Sequence, residues 1–406
     1  MNKVAIVGCG QLARMLALAG WPMGIRFSFL ACDNESTECV DGLGQIAHWS
    51  TREPINPQAL LKALGNPDVV TVERESVDTG LLRALADHVS VFPDADAVHQ
   101  CQHRIREKKL LESLAIAATP YREARCAEEL KSAAQSLGYP LVIKAASEGY
   151  DGKSQWRIHS DFELRAFLAE RQTGDWLVEQ FMDFDCELSL IAARSATGEI
   201  HVYPATENRH SKGVLTSSLA PFDTLPDSIA ASGKANIVAL LEGLNYVGVL
   251  TMECFLVDGE LLVNELAPRV HNSGHWTLQG DLTSQFENHL RAILGMALGR
   301  ANPDRYHGIV NILGHGERAP DLPQLPAQVS LHWYNKQARE GRKLGHLGAS
   351  AHSHADLRKI LAGIRQLLWE PRSPALTFLE EYCEQMPNRA PYQGTPDFDN
   401  RQGQRA

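Results

Sequence analysis

Apolar residues recur along the chain with two periods, and the change from one to the other marks its parts. Lys3-Val-Ala-Ile-Val7 is a continuous apolar run of the kind that a strand buried on both faces shows. Gly8-Cys9-Gly10-Gln11-Leu12-Ala13 follows it and opens an apolar helix reaching about residue 20. A second apolar run, Phe27 to Ala31, ends at Asp33. Strand-like segments 68–72 and 89–92 alternate with helical patterns at 57–65 and 79–87, which predicts a parallel α/β sheet over the first 100 residues. A helix rich in Lys and Arg, 103–115, closes this unit.

From Thr119-Pro120 the pattern becomes α+β: helix 127–137, strand 140–145, a polar glycine-containing loop 147–154, helix 161–170 and strand 175–182. Strands, a helix and a hairpin carry the chain to about residue 267. Beyond 301 lie strand candidates Ile309–Leu313 and Val329–Tyr334 and an amphipathic helix near 355–368, and 385–406 reads as a mobile polar tail.

Length and charge narrow the function classes. A chain of 406 residues holds two or three domains at ~100–200 residues each. Its 39 Lys+Arg against 49 Asp+Glu give a formal charge of −10, which disfavours a broad basic surface for nucleic acid or an anionic membrane. Eight cysteines without a C-x-x-C pair read as reduced thiols of a cytoplasmic protein. Gln11 and Arg14 break the N-terminal apolar run too early for a signal peptide, and no stretch of ~18 apolar residues predicts a membrane helix.

Five motifs carry candidate chemistry, each with a plainer reading beside it. Gly8-x-Gly10-x-x-Ala13 after a strand, with Asp33 further on, fits a dinucleotide fingerprint and would make an NAD-dependent oxidoreductase; a glycine turn also serves merely to pack helix on strand. Leu141-Val-Ile-Lys144 before a glycine-containing loop suits a clamp over phosphates, or an ordinary surface turn. Pro268-Arg269-Val-His271-Asn272-Ser-Gly-His275-Trp offers a guanidinium fork for a planar oxyanion with two further donors, or a structural polar string. Lys336 with Arg342 and Lys343 forms a basic cluster, either an anion site or a solvated face.

The fifth motif is the hairpin Val247–Ala267, with Asp258-Gly259 at its turn and Glu253 and Glu265 late in its two strands. Buried carboxylates need a cation, and Mg²⁺ with nucleotide phosphate is the usual partner; one solvated Glu on each strand is the alternative. Register decides between them. A two-residue turn sets 253 opposite 264 and turns Glu265 away, whereas a three-residue turn brings both carboxylates to one face. The metal site therefore predicts a three-residue turn.

Taken together, these residues resemble the N5-carboxyaminoimidazole ribonucleotide synthetase family of ATP-grasp enzymes. The resemblance runs from Gly8-Cys-Gly-Gln-Leu-Ala-Arg-Met through Gly149-Tyr-Asp-Gly-Lys153, Tyr246-Val-Gly-Val, Asn264-Glu-Leu-Ala-Pro-Arg269 and His271-Asn-Ser-Gly-His-Trp276 to Leu331-His-Trp-Tyr and Gly341-Arg-Lys-Leu-Gly-His346, over roughly residues 1–370. It implies an ATP-grasp fold with an N-terminal Rossmann-like pre-ATP-grasp domain (1–100), an ATP-grasp domain (101–300, lid about 118–182), a small C-terminal β-rich domain (301–370) and a polar extension (371–406).

The implied activity is that of an ATP-dependent carbon–nitrogen ligase of purine biosynthesis, carboxylating aminoimidazole ribonucleotide with bicarbonate through carboxyphosphate. By the same resemblance Lys108 and Lys144 would hold ATP phosphates, Glu179-Gln180-Phe181-Met182 the adenine and Glu187 the ribose. Glu253 and Glu265 would bind Mg²⁺, and Arg269, His271 and Asn272 bicarbonate. Tyr150, Asp151, Lys153, Lys336, Arg342 and Lys343 would hold the nucleotide substrate, and the protein would be a homodimer. Three departures stand out: Ala145-Ala-Ser-Glu148 replaces an Arg- and Gly-rich lead-in, Val72-Glu-Arg-Glu-Ser-Val77 replaces Phe-Glu-Phe-Glu-Asn-Val, and His103 replaces an Asp. The alternatives are an ATP-grasp paralogue acting on another amine and the NAD-dependent oxidoreductase.

Overall fold

The computed structural model describes residues 2–360, apart from 148–153, 172, 212, 315–324, 326–327 and 358. The predicted tail, most of the loop at 147–154 and most of the helix near 355–368 lie outside the described residues.

The first unit alternates strands and helices: β1 (Lys3–Val7), α1 (Gln11–Gly20), β2 (Arg26–Cys32), β3 (Gln45–Trp49), α2 (Pro57–Ala63), β4 (Val69–Val72), α3 (Thr79–Ala86), β5 (Ser90–Val91), α4 (Ala95–Cys101) and α5 (Arg104–Ser113). Its five strands are all parallel in the order β3-β2-β1-β4-β5. Val4 to Val7 are wholly buried, as a strand covered on both faces requires. The strand β3 and the helix α4 are additions to the elements read from the sequence.

The second unit is a four-stranded antiparallel sheet, β6 (Tyr121–Cys126), β7 (Leu141–Ala145), β8 (Gln155–Ile158) and β9 (Thr173–Gln180), ordered β6-β9-β7-β8. Helices α6 (Ala127–Leu137) and α7 (Asp161–Glu170) supply Leu130, Ala133, Leu164 and Phe167 to its core. Ser160 caps α7 by accepting from the Glu163 N–H, while the Glu163 carboxylate accepts from the N–H of His159, the residue before the cap.

The third unit is a nine-stranded sheet built from β10 (Cys186–Arg194), β11 (Ile200–Val202), β12 (Thr206–Ser211), β13 (Val214–Ala220), β14 (Gly248–Val257), β15 (Glu260–Ala267), β16 (Tyr306–Leu313), β17 (Val329–Trp333) and β18 (Lys343–Ala351). Its order is β15-β14-β10-β12-β13-β16-β18-β17, with β11 beside β10. The C-terminal strands thus continue the central sheet through the β13–β16 pairing.

Helix α8 (Asp227–Gly243) covers one face of this sheet, packing on Leu188, Leu190, Met252 and Leu256. Helix α9 (Gln285–Ile293) and a short 3-10 segment, Asn272–Gln279, cover the apolar part of the other face at Ile191, Ala193 and Val249. Strand alternation places Glu187, Ser189 and Glu253 on that second face, beyond the reach of the helical cover. This buried polar strip, beside the apolar part of the face, is where the chemistry-bearing residues gather.

Candidate active site

The glycine turn at the N-terminus is already filled by the protein itself. Gly10 N donates to Glu73 Oε1 at 2.5 Å and Ala13 N to Glu73 Oε2 at 3.0 Å, so the carboxylate sits where a helix N-terminus would otherwise receive phosphate. A Cβ on Gly8, whose φ is +115°, would lie 2.4 Å from Glu73 Cγ, and one on Gly10 2.5 Å from Glu73 Oε1. The glycines make room for Glu73. Asp33, read as a ribose ligand, instead accepts from the Thr51 N–H at 3.0 Å and the Ser50 hydroxyl at 3.0 Å. The dinucleotide reading is corrected on these two counts.

Glu253 and Glu265 face each other across β14 and β15. The turn between the strands is not the expected three-residue one: Val257 pairs with Glu260, leaving the two residues Asp258 (φ +48°) and Gly259 (φ +83°), a left-handed pair typical of tight hairpins. A bulge supplies the missing residue. Cys254 pairs with Val263 and Glu253 with Glu265, so Asn264 is the extra residue and parity changes there.

Burial and then Glu265 push the Glu253 pKa up to about 7, with His210 working against them. Among the described residues the buried Glu253 Oε1 has no hydrogen-bond partner, and His271 Nδ1, 3.4 Å away, accepts from Ser273 N. Burial, followed by the Arg269 charge, holds the His271 pKa well below normal and hence the ring neutral. Two opposed carboxylates with an orphaned oxygen fit a hard divalent cation. Among the described residues no third His, Cys, Asp or Glu completes an all-protein cage, so such an ion would take its remaining ligands from phosphate and water.

Across from this hairpin, Lys108 and Lys144 both meet Glu179. Lys108 Nζ lies 2.8 Å from Glu179 Oε1 and Lys144 Nζ 2.5 Å from Oε2; the Lys108 side chain has 0% exposure and that of Lys144 12%. Burial works to raise the Glu179 pKa, but the two ammonium groups outweigh it and hold the carboxyl well below its usual range. Lys144 also donates to Asn264 Oδ1 at 3.1 Å, which joins the two sheets. Of the two lysines expected at ATP phosphates, Lys144 alone has an exposed face.

Gln180, Phe181 and Met182 continue from β9, with Gln180 N donating to Pro120 O and Phe181 N to Pro140 O, and the Arg157 guanidinium lies over the Phe181 ring. Glu187 takes a 2.5 Å contact from His210 Nδ1.

The polar string after β15 divides. Arg269 grips Glu75 with both arms, Nε to Oε2 at 2.5 Å and Nη2 to Oε1 at 3.1 Å, so a protein carboxylate occupies the fork expected for a planar oxyanion. His271 remains beside Glu253. Asn272 is turned elsewhere, in a reciprocal amide pair with Asn311: its Nδ2 donates at 3.1 Å and its Oδ1 accepts at 2.6 Å. Both ends of the Asn272 amide are engaged, which makes it an anchor of the 3-10 segment on β16.

The basic cluster also divides. Lys336 donates to Gln11 Oε1 and lies 5.8 Å from the Tyr334 ring centre, while Arg342 donates to Gln337 O at 3.0 Å. Arg14 from α1 joins them, donating to Trp333 O and Cys39 O. The Lys343 charge acts on Glu253, His210 and His271 as well as on Lys336. Tyr150, Asp151 and Lys153 lie outside the described residues.

Several participants escaped the sequence reading. Glu73 and Glu75 stood in a quoted motif, Glu-x-Glu after a strand, without a role. His210 and Asn311 carry no local signal, because pairing across the sheet alone brings them in. Glu107, buried at the end of β15, accepts from Leu266 N at 3.1 Å; burial, offset by Lys108, pushes its pKa up to about 8.

Three family models match in succession: a ribonucleotide synthetase preATP-grasp domain over 1–102, an ATP-grasp domain over 109–286, and a phosphoribosylaminoimidazole carboxylase C-terminal domain over 308–360. The chain is 40% identical to N5-carboxyaminoimidazole ribonucleotide synthase of Vibrio cholerae over 92% of its length and 97% of the relative, and 35% identical to the Escherichia coli protein of that name over 91% and 96%. Its structure is similar to the synthetase of Thermus thermophilus, with a TM-score of 0.82 and 36% identity over 91% of this chain and 99% of the other. It is also similar to the Aspergillus clavatus enzyme in complex with ADP and 5-aminoimidazole ribonucleotide, with a TM-score of 0.79 and 27% identity over 90% and 98%.

Proposed function

The chain belongs to the N5-carboxyaminoimidazole ribonucleotide synthase family of ATP-grasp ligases, and from that membership we propose how its own residues carry out the ATP- and bicarbonate-dependent carboxylation of 5-aminoimidazole ribonucleotide in purine biosynthesis. An oxygen of bicarbonate attacks the γ-phosphorus of ATP, ADP leaves, and carboxyphosphate forms. The exocyclic amine of the ribonucleotide then takes the carboxyl group, directly or as CO₂ released beside it, and phosphate and a proton depart.

The observation that carries this reading is the pair Glu253 and Glu265, facing one another below Lys144 and Glu179. Lys144 is the cation that turns from Glu179 to nucleotide phosphate. The run Glu179-Gln180-Phe181-Met182 borders the adenine, and Glu187 the ribose. Glu253 and Glu265 would hold Mg²⁺, which when bound neutralises charge on the phosphates. Neutral His271 orients bicarbonate, with Asn272 fixing the segment that carries His271, and Arg269 joins it by releasing Glu75 from its fork. Lys336 and Arg342, with Tyr150, Asp151 and Lys153 from the loop, receive the ribonucleotide, and Lys343 stands between the two halves of the site.

The unit at about 118–182 is the lid whose closure keeps water from carboxyphosphate, a species labile in water. We place the enzyme in the cytoplasm as a homodimer; the seven described cysteines are free thiols, as a reducing compartment requires, and no described helix is long and apolar enough to cross a membrane. ADP release that needs bicarbonate and rises with the ribonucleotide would support this function. Release indifferent to the ribonucleotide would move the chain to another amine.

A further inference from the structure

Lys108 is wholly buried, and its ammonium group is saturated. Glu179 Oε1 lies at 2.8 Å, Thr119 Oγ1 at 2.8 Å, and the carbonyl oxygens of Val263 and Asn264 each at 3.1 Å. An ammonium has three protons and no lone pair, so four acceptors leave nothing to offer a nucleotide phosphate.

The four acceptors come from three places that the reaction must hold in register. Thr119 lies on the segment entering the lid, Glu179 at the end of the last lid strand, and Val263 and Asn264 at the bulge between the two carboxylates. The entering segment is itself tied to the bulge: Val263 N donates to Ala117 O at 2.9 Å and Thr119 N to Val263 O at 3.3 Å. Thr119 also donates through its hydroxyl to Glu179 Oε1. A bulge takes one residue out of the strand ladder, and a buried carbonyl left unpaired there is destabilising. Lys108 donates to both carbonyls at that point, Val263 O accepting from Thr119 N as well.

We propose that Lys108 is a positioning residue: by capping Val263 and Asn264 it holds the extra residue in β15, keeps Glu265 on the face of Glu253, and ties both lid connections to that hairpin. Loss of the bulge would shift Glu265 by one residue and turn it to the opposite face. The inference rests on the reading that Glu253 and Glu265 hold Mg²⁺, and its test separates the two.

The test compares the wild-type enzyme, Glu179→Gln, and the pair Lys108→Met with Glu179→Gln. The pair removes both members of the buried Lys108–Glu179 ion pair, and because Lys144 loses Glu179 in both variants, the single variant absorbs that loss and any effect of Glu179 on ATP. At saturating ATP, the Mg²⁺ concentration for half-maximal turnover should be at least ten-fold higher in the pair than in Glu179→Gln, whatever the single variant itself does relative to wild type. Backbone amides of residues 263–266 should exchange faster in the pair alone. An unchanged Mg²⁺ requirement in the pair would overturn the inference, because it would show Lys108 to be structural only. Should the pair fail to fold, Lys108→Arg replaces radiating donors by a planar fork and is expected to raise the Mg²⁺ requirement likewise, an unchanged value again overturning the proposal. Wild-type turnover without any divalent cation would instead contradict the carboxylate reading itself.

Discussion

Glu253 stands directly opposite Glu265 across an antiparallel pair, although the two-residue turn that joins their strands would by itself place them on opposite faces. The bulge at Asn264 reconciles the two, and it places like charges side by side. Neutralising one should relieve the apo protein. Glu265→Gln is expected to abolish ATP turnover while leaving the melting temperature within a few degrees of wild type or above it, as a thermal melt and an ADP-release assay would show. Substantial turnover would remove Glu265 from the proposed ligands.

The same pair gives a pH signature. The Glu253 pKa is raised from 4.5 to about 7 in the folded protein, so the folded state binds this proton more tightly than the unfolded chain. Its contribution to stability is full below pH 4.5 and is lost as pH rises through about 7. Subtracting the urea midpoints of Glu253→Gln from those of wild type at each pH should give a difference that falls across this window; a flat difference would contradict the burial and repulsion described here.

His289 should act with the opposite sign. Its Nδ1 accepts from Val249 N at 3.1 Å, which assigns the proton to Nε2 and makes that nitrogen the donor to Thr71 Oγ1 at 2.8 Å. Burial lowers its pKa from 6.5 to about 4, so its stabilisation is complete above pH 6.5 and is lost as pH falls through 4. The shift corresponds to about 3 kcal/mol at most. His289→Gln should flatten this part of the pH profile, and an unchanged profile would mean that the contact between the first unit and α9 does not depend on neutral imidazole.

How far these features could be read from the sequence differs by kind. Strands and helices of the first two units follow from apolar period and turn residues, which are local. The bulge was legible too: Leu261, Val263 and Leu266 share the core under α8, and their spacing of two and then three breaks strand periodicity where Asn264 stands. Gly8 and Gly10 suggested phosphate because a glycine turn shows only that something approaches closely, and here it is Glu73, far away in sequence. Lys108 and Asn272 likewise carry the right chemistry for substrate, but burial against Glu179 and Asn311 depends on pairings no local pattern records.

The filled glycine turn makes a ligand prediction. Mg-ADP should raise the melting temperature, since a ligand held by the native state alone stabilises it by RT ln(1 + [L]/Kd), and NAD at equal concentration should leave it unchanged. Stabilisation by NAD would mean that Glu73 yields its place.

Arg342→Ala should raise the KM for the ribonucleotide by one or two orders of magnitude, about 1.4–2.8 kcal/mol of binding, with the KM for ATP nearly constant. A phosphate monoester near −2 needs converging cations, and Arg342, Lys336 and Arg14 approach one another beside Cys39. Equal loss for both substrates would assign Arg342 a structural role.

The central claim is that bicarbonate itself attacks ATP within this site. Bicarbonate carrying heavy oxygen, supplied with ATP and 5-aminoimidazole ribonucleotide, tests it directly by mass analysis of the released phosphate. One heavy oxygen per phosphate, formed in step with ADP, is the predicted result. Unlabelled phosphate would mean that water, not bicarbonate, is the nucleophile, and would contradict the account.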